Sequence, residues 1–289
     1  MKLKPNEILH VALDFGDAEV KVGRMAQRRH EIFFEYDADF IAAGKQISPL
    51  QLPLAEGAKA SKPQPFEGLF GVFNDSLPDG WGKLLLDRAL AAKGVAHQGL
   101  SPLDRLAYVG RRGMGALVYY PERELEVHED SVLDLNLLAD DMANVLEGDA
   151  NEMLDRLYFM GGSSAGARPK IVAGYDPIAK KIIHGQQLLP DGFEHWLIKF
   201  PSSSDQKDIA MVEYAYSLMA RAAGLKMTET KLFQGSKGRM YFGIKRFDSA
   251  DNRRLHMHTA SGLLHADHRI PNLDYELLMR LGLRLDNDM

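Results

Sequence analysis

The first third of the chain alternates short runs of β-branched and aromatic residues with polar breaks. Ile8 to Phe15, Glu19 to Met25 and Glu31 to Tyr36 are such runs, separated by Gly16-Asp17 and by Gln27-Arg28-Arg29. This spacing predicts three strands in an antiparallel meander. Ile47 to Leu54, carrying Pro49 and Pro53, predicts an extended segment, and Ala55 to Pro65 a loop. The turn cluster Asn74 to Gly80 precedes a helix through Leu84, Leu85 and Leu90, for which Gly94 is a stop. Ser101-Pro102 has the N-cap serine and first-turn proline of a second helix. Gly113 to Tyr120 predicts a strand, and Leu133, Leu137, Met142 and Val145 give residues 130–158 a helical period.

The pattern changes after Gly161. Strand-like runs at 170–174, 180–184 and 194–200 bracket turns at Asp176-Pro177 and Pro190-Asp191-Gly192. A helix is predicted from about Asp208 to Ala223, closed by Gly224 as a C′ glycine. Strands follow near 229–234 and 239–247, joined by Gly235-Ser236-Lys237-Gly238. A domain boundary is therefore expected near residue 150, giving domains 1–150 and 151–289 of an α+β protein. The chain is long enough for both to bury a core.

Composition adds exclusions. With 35 Lys and Arg against 40 Asp and Glu, the formal net charge of −5 gives no global reason to expect nucleic-acid binding. No cysteine is present, so disulfides and thiolate metal sites are excluded. The N-terminus lacks a signal-peptide core and no run reaches the roughly 18 apolar residues of a membrane span. A cytoplasmic protein is expected.

The chemistry centres on Gly161-Gly162-Ser163-Ser164-Ala165-Gly166-Ala167-Arg168-Pro169-Lys170. Small residues let the backbone approach a ligand, and glycines allow successive N–H groups to converge in an anion-binding nest. Arg168 and Lys170 add cations beside it. Downstream, His195-Trp196-Leu197-Ile198-Lys199-Phe200 puts a lysine into an apolar strand, where a charge needs a partner. Glu213 stands on the following helix near the face that must pack on the sheet. A strand lysine paired with a helix glutamate is how kinase folds hold a lysine over nucleotide phosphates.

In order, Ser163 to Lys170, Trp196-Leu197-Ile198-Lys199, Val212-Glu213-Tyr214-Ala215 and Lys245-Arg246-Phe247-Asp248 resemble successive motifs of the HipA-type toxin kinases. Leu77-Pro78-Asp79-Gly80-Trp81-Gly82 resembles a turn of that family's N-terminal subdomain. Leu263 to Asp267 and Pro271 to Glu276 resemble its linker into the kinase C-lobe. The resemblance implies an atypical, lipid-kinase-like protein kinase fold: residues 1–150 as the N-terminal subdomain, 151–289 as the kinase N-lobe and start of the linker. It implies transfer of the ATP γ-phosphate to a protein Ser or Thr, beside a HipB-like helix-turn-helix antitoxin that carries any contact with operator DNA. Ala165, Gly166, Ala167, Arg168, Pro169 and Lys170 would hold ATP phosphates with Lys199, supported by Glu213. Lys245, Arg246 and Phe247 would form the hinge at the adenine edge. Ser163 matches the family's regulatory autophosphorylation serine, whose phosphate should expel the loop from the ATP site.

The family's catalytic aspartate and its Mg²⁺-holding Asn and Asp lie in motifs that these 289 residues do not contain, and Asp140-Asp141 lacks their context. The expectation is a kinase N-lobe inactive by itself, with residues after about 250 mobile or covered by a neighbouring chain. Two alternatives stand beside it. One is a non-catalytic binding module contacting an antitoxin or a separate C-lobe chain; the other is a small-molecule kinase. His256, His258, His265 and His268 could ligate zinc if folding gathered three of them, but no carboxylate stands at convincing spacing. Structural roles are expected for them.

Overall fold

The computed structural model describes residues 7–95, 99–123, 132–148, 153–161, 166–185, 188–235, 238–267 and 270–287. The expected α+β fold with antiparallel sheets is what the chain adopts. Along the sequence run β1 (Leu9–Asp14), β2 (Glu19–Arg28), β3 (Glu31–Tyr36), α1 (Ala38–Ala42), β4 (Lys59–Ala60), α2 (Gly71–Asn74), α3 (Gly80–Ala92), α4 (Pro102–Val109) and β5 (Leu117–Tyr120). Then come α5 (Leu135–Glu147), α6 (Leu154–Gly161), β6 (Lys170–Asp176), β7 (Lys181–His184), β8 (Glu194–Lys199), α7 (Ile209–Ala222), β9 (Thr230–Gln234) and β10 (Met240–Lys245). The short β11 (Ser249–Ala250) and β12 (Arg253–Arg254) precede α8 (Ala260–Leu264) and α9 (Tyr275–Asn287).

These elements form two compact units that interleave along the chain. The first comprises Met1–Leu77, Leu100–Arg123 and His256–Met289; the second comprises Pro78–Gly99 and Glu124–Leu255. The boundary expected near residue 150 falls inside the second unit.

The first unit is built on a sheet of order β4-β3-β2-β1-β5. Its core side chains alternate with polar ones because successive strand residues point to opposite faces: Leu9, Val11, Leu13, Ile32 and Phe34 are buried. Each such side chain stabilises the fold by about 1.5–3 kcal/mol. Helix α4 starts on a full capping box, Ser101 with Asp104, and buries Leu103, Leu106 and Ala107. The segment 47–54 is not extended. The Leu52 amide closes on Ser48 O at 3.0 Å, and Ile47 and Leu52 are buried in this turn.

Residues 256–265 depart from expectation, since they pack into the first unit, whereas α9 leaves Tyr275, Met279 and Leu283 exposed. Helix α8 packs on α2 so closely that a Cβ on Gly71 would lie 2.1 Å from Gly262 O, and Leu263 is buried. His258 clamps this junction, with Nδ1 2.6 Å from Asp75 Oδ2 and Nε2 3.0 Å from Ser48 Oγ. Asp75 also accepts from the Thr259 amide and hydroxyl, both at 2.7 Å. The Ser-His-Asp geometry resembles a hydrolytic triad, but Ser48 is wholly buried. A nucleophile must reach its substrate, so the arrangement is a structural tie. His256 bonds Ile47 O and His265 bonds Gln64 O; His268 lies outside the described residues.

The second unit holds a sheet of order β7-β6-β8-β10-β9. The single helical stretch predicted over 130–158 is two helices, the first ended by left-handed Gly148. Asn136 of α5 and Asp140 bond Tyr241 and Arg239 of the sheet hairpin, at 3.0 and 2.6 Å. Helix α7 covers the opposite sheet face in an unusual orientation. Its inward residues include Glu213, Ser217 and Arg221, the last two joined to Thr230. Its outward residues include Met211, Leu218 and Met219, all exposed.

Candidate functional site

Strand register sets the site. Lys170 of β6 lies directly opposite Lys199 of β8, and Lys199 opposite Phe242 of β10. Directly opposed residues share a face, so both lysines project to the side covered by α7. One step along, Val172, Leu197 and Ile244 form a parallel apolar row on that face. Lys199 Nζ donates to Glu213 Oε1 at 3.1 Å and lies 5.4 Å from the Phe242 ring centroid. The sequence-derived strand–helix pair is thus formed.

The glycine-rich segment is described from Gly166 onward; Ser163 and Ala165 lie outside the described residues. Gly166 has φ +106°, and a Cβ there would sit 2.7 Å from Lys170 Nζ. The Lys170 ammonium is therefore tucked against the loop backbone. Burial, then the charge of Lys199, pushes its pKa down to about 8. The loop's descending limb is tied to the sheet by the Phe200 amide, which donates to Pro169 O at 2.9 Å. Arg168 pairs with Asp205 at 2.8 Å and approaches Glu213 at 3.8 Å. Ala167 is exposed.

A second support comes from the turn Leu77 to Gly82. Asp79 caps α3 by accepting from the Gly80 amide at 2.7 Å. The Trp81 amide donates to Gly166 O at 3.2 Å. Gly80 has φ +31°, and a Cβ there would stand 2.5 Å from Ala167 Cα. Only a glycine lets the helix start come so near the loop.

Arg168, Lys199 and their partners border a shallow, solvent-open concavity lined by Phe200, Asp205, Glu213 and Phe242 among others. Two cations face this concavity, each paired with a carboxylate, and the glycine backbone with buried Lys170 adjoins it, a setting in which an anionic ligand could compete for the cations. The hinge motif stands at the end of β10. The Lys245 and Arg246 amides donate to Glu229 O and His195 O, each at 2.9 Å. Lys245 Nζ pairs with Glu194, Arg246 pairs with buried Asp248, and the Phe247 side chain is exposed. The structure thus brings Arg168, Lys170, Lys199 and Glu213 together and leaves Lys245 and Arg246 engaged within the protein. Among the described residues no group of three metal-ligating side chains gathers, and no helix is long and apolar enough to cross a membrane.

Sequence reasoning missed Asp205 and the packing of Gly80 on the loop. Asp205 carries a signal: Ser202-Ser203-Ser204-Asp205 has the spacing of a local serine–aspartate cap. Ser202 donates to it through its amide at 2.8 Å and its hydroxyl at 2.9 Å. Burial opposes the charged form, but these bonds and Arg168 hold the carboxyl below its usual range.

Comparison with known proteins adds three findings. Residues 17–120 match the model of the HipA N-terminal domain, and residues 162–288 that of the HipA-like C-terminal domain. A chain of the solved Shewanella oneidensis MR-1 toxin–antitoxin complex of HipA, HipB and operator DNA is similar in fold, with TM-score 0.56 and 16% identity over 93% of this chain. This chain spans 60% of that one. No curated protein matches in sequence.

Proposed function

The chain belongs to the HipA family, and on that premise we propose that its second unit is the ATP-binding lobe of a serine/threonine protein kinase of a toxin–antitoxin module. The observation carrying this reading is the Lys199–Glu213 pair, 3.1 Å apart, on the same sheet face as Lys170 beneath Gly166. Gly166 to Lys170 and Lys199 would hold the phosphates, and Val172, Leu197 and Ile244 would offer the adenine an apolar row. The Lys245 to Phe247 segment would lie at its edge. ATP supplies the phosphoryl group; these residues bind and orient it, which is the larger part of such catalysis. Mg²⁺ accompanies ATP in this reading, and no described group of residues is assigned to hold it.

A HipB-like antitoxin is the proposed partner, with operator DNA reached only through it, and a protein Ser or Thr the proposed acceptor in the cytosol. The neighbour solved as a HipA, HipB and operator DNA complex supports the choice of partner. Isothermal calorimetry with ATP tests the lobe assignment: binding in the micromolar-to-millimolar range is expected, and its absence at millimolar ATP overturns it. A second reading, a non-catalytic module docking another chain, draws support from exposed Met211, Val212, Leu218 and Met219 on α7. Co-purification with the antitoxin without any nucleotide affinity would favour it.

A further inference from the structure

We infer that Asp205 is a positioning residue for this site, fixing Arg168 and with it the descending limb of the glycine-rich loop. The inference rests on the nucleotide reading above and names a residue outside the motifs that carry it. Asp205 belongs to the connection between β8 and α7, 37 positions from Arg168 in sequence. Its side chain is 5% exposed. The two carboxylate oxygens have separate duties: Oδ2 takes both Ser202 donors, and Oδ1 takes Arg168 Nη2 at 2.8 Å. A carboxylate with one oxygen committed to a local cap cannot swing freely, so the other presents a fixed acceptor to Arg168.

Geometry also shows what this anchoring prevents. Arg168 Nη1 lies 3.8 Å from the same Glu213 oxygen that receives Lys199 Nζ at 3.1 Å. Without Asp205, the nearest anion for Arg168 is Glu213, where it would compete with Lys199. Asp205 thus sustains two things: a loop limb held at two points, Pro169 O and the Arg168 guanidinium, and an undivided Lys199–Glu213 pair. Asparagine cannot substitute, because its single oxygen serves either Ser202 or Arg168. Glutamate retains the second oxygen on a longer stem.

The test uses the purified 289-residue chain as wild type, D205N, D205E and the double variant R168Q/D205N. Hydrogen–deuterium exchange of peptides covering 166–171 reads loop anchoring, and calorimetry with ATP and with adenosine reads its consequence. For D205N we expect faster exchange of that segment at unchanged Tm. Its Kd for ATP should rise about tenfold, the scale of losing one partner of a part-exposed ion pair, with adenosine affinity unaltered. D205E should recover part of the loss, and R168Q should add little to D205N. Unchanged exchange in D205N, or equal weakening of ATP and adenosine, overturns the inference. Wild-type chain that binds neither ligand defeats the nucleotide reading instead; exchange alone then decides the anchoring, upheld if faster in D205N and overturned if not.

Discussion

At the scale of single residues, two lysines on one strand pairing have opposite characters. Lys199 is one-third exposed and paired with Glu213, so its loss should spare the fold. Lys199→Ala is expected to raise the Kd for ATP by about tenfold or more, as for a lost charge-assisted contact, with an unchanged far-UV spectrum. Equal affinity in calorimetry would remove Lys199 from the site. Lys170 is buried with a pKa near 8, below the unfolded value of about 10.4. Between these values the unfolded chain binds more protons, so stability rises with pH through that window and is lost as pH falls through 8. A polyphosphate beside the ammonium reverses the shift. ATP binding near pH 8 should therefore take up a proton, and affinity should fall from pH 7 to 9. Titrations in buffers of different ionisation enthalpy measure this; identical heats would place Lys170 away from the phosphates. The Lys199–Glu213 pair was legible because an apolar strand makes a lone charge conspicuous. Asp205 was not, since its importance lies in reaching Arg168 across a turn.

At the scale of elements, the loop depends on the start of α3. Gly80→Ala would force Cβ against the backbone of Ala167 at a left-handed position. A cost above about 1 kcal/mol is expected, lowering Tm by roughly 2–4 °C and weakening ATP binding together. A stable variant with wild-type affinity would show that the α3 turn does not shape the loop. Periodicity located the strands and the capping box of α4 because those signals are local. It misplaced residues 47–54, where Pro49 and Pro53 suggested extension but the Ser48 carbonyl closes a turn. The sequence places Glu213 of α7 near the sheet, as found, but not Met211, Leu218 and Met219 in solvent: a helix whose polar residues face the sheet inverts the usual amphipathic rule.

At the scale of the molecule, the fold family was legible from motif order, whereas the interleaving of units was not. Residues 78–99 join 124–255 through packing of α3 with α6, which no local pattern announces. None of the 289 residues has the context of a catalytic-loop aspartate. The purified chain is thus expected to bind Mg-ATP without phosphorylating Ser163. Radiolabel from the γ-phosphate on that serine, with contaminating kinases excluded, would reveal an unrecognised catalytic group. In an active family member carrying this loop, the serine at the place of Ser163 is expected to be phosphorylated.

The tie between Asp75 and His258 has a consequence for synthesis. Its partners are 183 residues apart in sequence, and a ribosome adding about 5–20 residues per second needs roughly ten to forty seconds to cover that distance. Throughout that interval α2 has emerged without α8, and the Asp75 carboxylate lacks its histidine and threonine donors. The second unit, by contrast, is completed at residue 255. Translation therefore delivers the whole of the second unit while the unit begun first is still open, and the segment that follows residue 255 supplies what that first unit lacks.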